Sequence, residues 1–174
     1  MKTSIINKKE KKAFTLIEII LYVSVLSICI GAMAMFMDMV SSAKTKNKMI
    51  LEVERQGENI VYIIQDEITS SQSVISPMNA SLHTELQLES SDASLNPIVF
   101  KESAGILSIN YSNGDDIPLN GGAVRIDNLE FNRLDNTNSP ETIVTSFTLS
   151  TGAGLGRSEF IYKRDFSFAT SRRY

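Results

Sequence analysis

The sequence predicts an α+β fold in which one long N-terminal helix packs on a C-terminal antiparallel β-sheet. Two patterns predict it. From residue 13 to residue 37 the chain is uncharged apart from Glu18, and apolar residues then continue at helical spacing. After Pro77, apolar and polar residues alternate, as they do in a strand with one buried face. At 174 residues the chain has room for one membrane segment and one head of about 100 residues.

Residues 14–38 are predicted as the membrane-spanning half of the helix, because about 20 apolar helical residues suffice to cross a bilayer. The preceding residues 1–13 contain five lysines and one glutamate, a net charge of +4, which leaves −7 for the rest of a chain whose total is −3. Positive flanking residues favour the cytoplasm. The sequence therefore predicts a single pass with the N-terminus inside and the head outside, against the weaker opposing bias of Lys44, Lys46 and Lys48.

Glu18 is the most informative residue of the span. Burying an acid in a bilayer costs roughly 2.5–3.5 kcal/mol even on the lenient insertion scale. The residue therefore requires a partner or a function.

Residues 39–75 are predicted as the amphipathic half of the same helix, which is expected to run from about Phe14 to about Val74 and to end before Pro77. Gly31 and Gly57 are its expected weak points. Apolar positions at spacings of three, four or seven form one stripe: Ile50, Val53, Gly57, Ile60, Ile64, Ile68 and Ile75.

Residues 76–174 are predicted as a β-rich head, since turn-rich segments separate short apolar runs. Neighbouring strands joined by short turns imply an antiparallel sheet, and the apolar stripe of the helix would cover its apolar face. The six predicted strands lie at about 82–88, 98–100, 106–111, 124–131, 143–149 and 160–168.

A family resemblance rests on residues 11–18, which read Lys-Lys-Ala-Phe-Thr-Leu-Ile-Glu between a basic leader and an apolar helix. This segment resembles the N-terminus of type IV prepilins and type II secretion pseudopilins. The resemblance implies a pilin-like fold, removal of leader residues 1–13 by a prepilin peptidase between Ala13 and Phe14, and N-methylation of Phe14. Family members usually have glycine where this chain has Ala13. The basic residues of the implied leader include Lys8, Lys9, Lys11 and Lys12.

The same resemblance implies a role for Glu18 in assembly, because pilins use the corresponding glutamate to meet the terminal amine of an adjacent subunit. The head is most similar to J-type minor pseudopilins and related minor pilins, at residues 82–88, 124–131 and 166–173. These relatives initiate or cap a type IV pilus or a type II secretion filament. The implied partners are prepilin peptidase, other pilin subunits, an inner-membrane assembly platform and the lipid bilayer. The implied location is the bacterial cytoplasmic membrane and then the filament.

No enzyme, cofactor or metal site is predicted. His83 is the only histidine, and Cys29, the only cysteine, lies in the apolar span, so no catalytic triad can be nominated. The oxygen-rich pairs Asp115-Asp116 and Asp127-Asn128 lack EF-hand spacing and are interpreted as turn chemistry rather than calcium ligands. The glycines at 152, 154 and 156 are interpreted as a hairpin connection.

Nucleic-acid binding is not expected, because the chain beyond its leader is acidic. Arg172 and Arg173 are expected to form a solvated tail. One alternative function stays open: an uncleaved, single-pass, membrane-anchored binding module that does not polymerise. It predicts an intact N-terminus and no dependence on Glu18.

Overall fold

The computed structural model describes residues 15–78, 83–122, 124–134, 141–151 and 161–172. It confirms the α+β fold, with one long helix, α1 (Leu16–Ser70), packed on antiparallel β-sheets. The chain divides into two compact units, Met1–Lys44 and Thr45–Tyr174. The first contains the apolar part of α1, and the second contains the rest of α1 and all the strands.

The first turn of α1 starts from Thr15, whose carbonyl accepts hydrogen bonds from the backbone N–H groups of Glu18 and Ile19 at 3.1 and 3.3 Å. Threonine is a favoured residue just ahead of a helix. A negatively charged side chain in the first turn interacts favourably with the helix dipole. No proline interrupts the 55 residues that follow. The local sequence therefore supports a helix from its first turn onward.

The C-terminal end of α1 corrects the prediction. The helix ends at Ser70, short of the expected end near Val74, and the next residues form a strand, β1 (Ser73–Ser76). The Ser71 hydroxyl donates to the Ile68 carbonyl at 2.8 Å, and the Gln72 N–H donates to the Glu89 carbonyl at 2.7 Å. Hydroxyl side chains compete for the last helical carbonyls. The residues after Ser70 therefore pair with a strand that is distant in sequence instead of continuing the helix to Pro77.

The strands form two antiparallel sheets where one was expected. Sheet A has five strands in the order β1-β2-β3-β4-β5, with β2 (Glu85–Glu89), β3 (Ile98–Ser103), β4 (Ile106–Tyr111) and β5 (Ile117–Pro118). Sheet B has three strands in the order β6-β7-β8, with β6 (Val124–Leu134), β7 (Thr142–Thr151) and β8 (Tyr162–Ser171).

Each of the six predicted strands overlaps an observed one, and β4 has the predicted bounds. The strand predicted from residue 82 begins at Glu85, because His83 pairs instead with Phe131 of β6 in an isolated bridge. That bridge occupies part of the outer edge of β6. A break in register between Asp127 and Glu130, with Asn128 at a φ of 53°, makes β6 a bulged strand.

The core lies between the second half of α1 and the two sheets. The predicted stripe is buried from Val53 to Ile68, and Gln56 belongs to it although its side chain is polar. Ile75, predicted in the stripe, lies in β1 instead. The largest fully buried side chains of the sheets include Leu86, Leu88, Phe100, Leu107, Ile126, Phe131, Ile143, Phe147 and Leu149.

Candidate functional site

The apolar part of α1 presents an uncovered hydrophobic surface. The large apolar side chains from Leu16 to Met39 are each more than half exposed, and none of the most apolar window of the helix is buried. Monomeric soluble proteins rarely expose apolar surface on this scale. Among the described residues, this is the one helix long and apolar enough to cross a membrane.

Glu18 is exposed in the first turn of this helix. It is the only acid of α1 before Asp38. Among the described residues, none donates a hydrogen bond to the Glu18 carboxylate or forms an ion pair with it. Any partner of this carboxylate therefore lies outside the described part of the chain.

Two hydroxyl groups in the same span show how a polar side chain is made compatible with apolar surroundings. Ser24 Oγ donates to the Ile20 carbonyl at 3.0 Å and to the Leu21 carbonyl at 2.9 Å. Ser27 Oγ donates to the Val23 carbonyl at 2.8 Å. Helix carbonyls thus satisfy both hydroxyl donors, whereas a carboxylate only accepts hydrogen bonds and helix carbonyls cannot satisfy it.

The other residues of the predicted site lie outside the described residues. These are the implied cleavage position at Ala13 and Phe14 and the leader lysines Lys8, Lys9, Lys11 and Lys12. The structure therefore describes Glu18 alone from that set. Whether leader cleavage and methylation occur stays a prediction.

In the second unit, polar side chains join α1 to both sheets. Toward sheet B, Glu54 pairs with Arg164, and the Tyr162 hydroxyl donates to Glu54 Oε1 at 3.0 Å. The hydrogen bond from Arg164 lowers the pKa of Glu54, and the bond from Tyr162 adds to this effect against the opposing effect of burial. These contacts orient β8 on α1.

Toward sheet A, the Tyr111 hydroxyl donates to Glu67 Oε1 at 2.6 Å. Burial raises the pKa of Tyr111, and the hydrogen bond to Glu67 raises it further. The Gly121 N–H donates to Gln56 Oε1 at 2.8 Å, which explains a polar residue in the buried stripe. Hydrogen bonds from side chains thus connect both sheets to α1. The apolar periodicity of the sequence does not identify the residues that make these bonds.

The oxygen-rich pairs interpreted as turn chemistry lie in the sheets and their connections. Asp116 accepts a hydrogen bond from Asn110 Nδ2 at 3.0 Å and pairs with Lys101 at 2.9 Å. The hydrogen bond from Asn110, together with the hydrogen bond and charge of Lys101, lowers the pKa of Asp116. Asp127 accepts a hydrogen bond from Ser150 Oγ at 3.2 Å beside the bulge of β6. Among the described residues, no group of three His, Cys, Asp or Glu side chains is placed to hold a metal ion.

The remaining single residues are placed as follows. Cys29 is exposed on the apolar part of α1, and His83 lies in the bridge to β6. Arg172 corrects the expectation of a solvated tail, because its backbone N–H donates to the Glu141 carbonyl at 3.1 Å and its side chain is only 23% exposed. Arg173 and the glycines at 152, 154 and 156 lie outside the described residues.

The surface of the head also has a groove that the sequence does not predict. A groove of about 350 Å³ lies between α1 and β8. Its wall includes Tyr62, which is 68% exposed, and the half-buried rings of Phe166 and Phe168. The alternation of aromatic residues in β8 predicts one apolar face, but no local signal indicates that α1 leaves part of this face uncovered.

Comparison of the chain with protein-family models, with curated proteins and with solved structures finds no match in any of the three. The function is therefore inferred from the fold, from the uncovered helix and from Glu18.

Proposed function

We propose that this chain is a minor pilin or pseudopilin, a structural subunit that initiates or caps assembly of a type IV pilus or a type II secretion filament. The observation that carries the proposal is the environment of Glu18. This carboxylate stands at the start of an exposed apolar helix, and no described residue of its own chain neutralises it.

The energetics favour a partner for Glu18 from another subunit. A lone carboxylate in lipid or in an apolar filament core is costly, and a nearby positive charge offsets much of that cost. Glu18 follows Phe14 by four residues, about one helical turn. If the leader is removed before Phe14, axially staggered neighbours bring the new amine of one subunit to the Glu18 carboxylate of the next.

The apolar surface supports assembly by packing. Transfer of the Ile19–Met37 surface from lipid into a filament core exchanges one apolar environment for another, so the aqueous hydrophobic effect does not drive the step. Selectivity then comes from side-chain packing, from the Glu18 charge pair and from contacts between heads.

The proposed life cycle follows from this role. The chain is first a single-pass protein of the bacterial cytoplasmic membrane with its head outside. A prepilin peptidase removes residues 1–13 and methylates Phe14. An inner-membrane assembly platform then draws the subunit into a filament with other pilin or pseudopilin subunits. In this function the chain is not an enzyme and uses no cofactor.

The test is the mass of the full-length chain extracted from membranes of cells that contain a prepilin peptidase. The proposal expects a mature chain that begins at N-methylated Phe14. Ala13→Gly, which restores the usual residue of the family, is expected to be cleaved at least as well. Ala13→Leu, which places a bulky side chain at the cut, is expected to retain its leader.

An intact chain beginning at Met1, in cells that process another prepilin, would contradict the proposal. That result would favour the alternative of a non-polymerising membrane-anchored binding module. The same preparation therefore separates the two functions.

A further inference from the structure

Strand β8 is an edge strand with a defined set of outward backbone groups. It pairs with β7 on one side, in an unbroken antiparallel register from Tyr162↔Thr151 to Ser171↔Thr142. Among the described residues, none pairs with its other side. An edge of ten residues is a ready template for another strand.

The register identifies which residues of β8 face outward. The Arg172 N–H donates to the Glu141 carbonyl, directly opposite it in the continued register, so this is a hydrogen-bonded pair. Backbone groups alternate in direction along an antiparallel strand. The even-numbered residues of β8 therefore bond to β7, and the N–H and C=O groups of five residues point away from it: Lys163, Asp165, Ser167, Ala169 and Ser171.

Within the described ranges, the second half of this edge lacks the usual protection against strand addition. In natural proteins, edge strands are protected from pairing with other strands by charges, prolines, bulges or a covering segment. The charged residues of β8 are confined to residues 163–165, whereas residues 166–171 read Phe-Ser-Phe-Ala-Thr-Ser. The opposite edge of sheet B, on β6, is partly occupied by the bridge from His83. The two edges of the sheet thus differ.

The groove beside β8 adds a second, independent feature. It runs along the same strand and is lined by Phe166, Ser167 and Phe168 of β8 and by Val61 and Tyr62 of α1. The charged side chains of Arg164 and Glu58 and the polar side chain of Gln65 complete its lining. Its volume of about 350 Å³ lies at the lower end of the range of ligand pockets, roughly 300–1,000 Å³. It can therefore receive apolar side chains from a segment that lies along β8.

We propose that the free edge of β8 binds an extended segment of a partner subunit, which adds to sheet B as a fourth strand. Backbone hydrogen bonds to the outward groups of β8 hold the segment, and its alternate apolar side chains enter the groove. This division of roles is that of β-strand addition. The inference rests on the proposed function as a filament subunit, but its test measures head contacts and does not depend on leader cleavage or on Glu18.

The charge distribution defines the chemistry of the segment. Opposite the uncharged residues 166–171, an unpaired charge would be partly desolvated without compensation, so the partner segment is uncharged there. Nearer Lys163 and Asp165, polar or oppositely charged side chains are tolerated, since cross-strand pairs of opposite charge are favourable. The partner is thus an apolar-polar alternating strand with any charges at one end.

The test uses the full chain in detergent micelles and a fluorescein-labelled peptide with the sequence of β7, residues 142–151. This peptide has an apolar residue at three inward positions and already pairs with β8 from the other side. The control peptide carries N-methyl groups at alternate backbone nitrogens, which remove the donors needed for strand pairing. Binding is measured by fluorescence anisotropy.

Ser167→Pro removes one outward N–H and leaves the ladder to β7 intact, because proline is tolerated where an edge N–H faces solvent. Loss of backbone pairing at this point is expected to weaken peptide binding about tenfold or more. Ser167→Ala keeps the N–H and is expected to bind like the parent chain. Tyr62→Ala, at an exposed position on the groove, is expected to weaken binding without lowering the melting temperature.

Equal binding by the parent chain and Ser167→Pro would overturn the proposal, as would equal binding of the two peptides or no binding to the parent chain. Concentration-dependent self-association that Ser167→Pro abolishes, without peptide binding, would assign the edge to a second copy of this chain instead. Unchanged melting of the Ser167→Pro variant confirms that the comparison is made on a folded head.

Discussion

The ring of Phe166 in β8 packs directly against Gly57 of α1. A β-carbon at position 57 would overlap the ring tip and lie 2.6 Å from both Cε atoms of Phe166. The ring is held there by stacking on Phe147 at a centroid distance of 5.2 Å and by the Arg164 guanidinium, 5.3 Å from its centroid. Gly57 therefore permits the close approach of sheet B to the helix.

Gly57→Ala is expected to destabilise the head, although alanine is the better helix former by up to ~1 kcal/mol. Forcing a methyl group into a packed site typically costs about 1–3 kcal/mol, so the net effect is a loss of stability. The measurement is denaturant unfolding of the full chain in detergent, followed by near-UV circular dichroism.

The matched control for this variant is Gly31→Ala, because nothing lies within 4 Å of a β-carbon built at Gly31. It is expected to leave the unfolding of the head unchanged. Equal stability of Gly57→Ala and the parent chain would show that Phe166 moves aside at little cost.

Glu18→Ala is expected to leave membrane insertion intact, since it makes the span more apolar. On the proposed function it also leaves leader cleavage intact and reduces incorporation into filaments, because the amine of the neighbouring subunit loses its counter-charge. The measurement compares the sheared filament fraction with the membrane fraction by immunoblot.

The control for Glu18 is Asp38→Ala, which removes the next acid along α1. This variant is expected to enter filaments like the parent chain. Normal incorporation of Glu18→Ala would refute the charge-pair mechanism.

Glu54→Gln tests how far the pair with Arg164 contributes to head stability. The folded state lowers the pKa of Glu54 below its ordinary value of 4.5, mainly through the hydrogen bond from Arg164. The contribution of the pair is therefore complete above about pH 4.5 and is lost as the pH falls through the lower folded pKa. We expect Glu54→Gln to lower the melting temperature at pH 7 by a few °C at most, because the pair is partly exposed.

The difference in melting temperature between the parent chain and Glu54→Gln is expected to shrink on acidification from pH 5 to about pH 3. Glu58→Gln, one helical turn further along α1 at an exposed position, serves as the control and is expected to melt like the parent chain at both pH values. A constant difference across this pH range would exclude the ionised pair as its cause.

Asn120 is a buried connector between β4 and the start of β6. Its Oδ1 accepts a hydrogen bond from the Leu107 N–H at 2.7 Å, and its Nδ2 donates to the carbonyls of Gly105 and Val124 at 3.0 and 2.7 Å. Asn120→Ala removes this partner from the Leu107 N–H and the Val124 carbonyl, whereas the Gly105 carbonyl keeps its hydrogen bond from the Ile126 N–H. Each buried group left unsatisfied costs about 1–3 kcal/mol. A loss of at least that size is expected in denaturant unfolding.

Asn120→Asp sharpens the same test because it keeps the shape of the side chain. At pH 7 the carboxylate would face two carbonyl oxygens, so the loss is expected to be at least as large as for alanine. Protonation restores one donor, so the Asp variant is expected to recover part of its stability relative to the parent chain at acidic pH. Equal stability of all three proteins would show that the hydrogen bonds of Asn120 are not needed.

Several features of the fold followed from local patterns. Two elements were predictable: the stripe from Val53 to Ile68 and the strand at Ile106–Tyr111. Their apolar residues recur with the period of a helix, 3.6 residues, or of a strand, 2 residues. The end of α1 was not predictable from the sequence, because residues 71–76 contain no proline or glycine. These residues form a strand only because they pair with β2.

Some residues discussed above could likewise be predicted from the sequence, and others could not. Glu18 stands out in the sequence because the cost of an acid in an apolar span is a property of the residue and its neighbours in the chain. Gln56, Gly57 and Asn120 carry no such signal. Their roles depend on partners between 4 and 109 residues away.

The sequence by itself determined that this protein has an apolar helix carrying one acid, followed by an amphipathic continuation and a β-rich head. These properties depend on composition and on spacing along the chain. Only the tertiary structure decided that the described strands divide into two sheets, that Phe166 occupies the space at Gly57 and that β8 is the last strand of sheet B, beside a groove. The physical reason is that hydrogen-bond pairing and close packing select between strands with similar alternation, and that selection is made by contacts between distant parts of the chain.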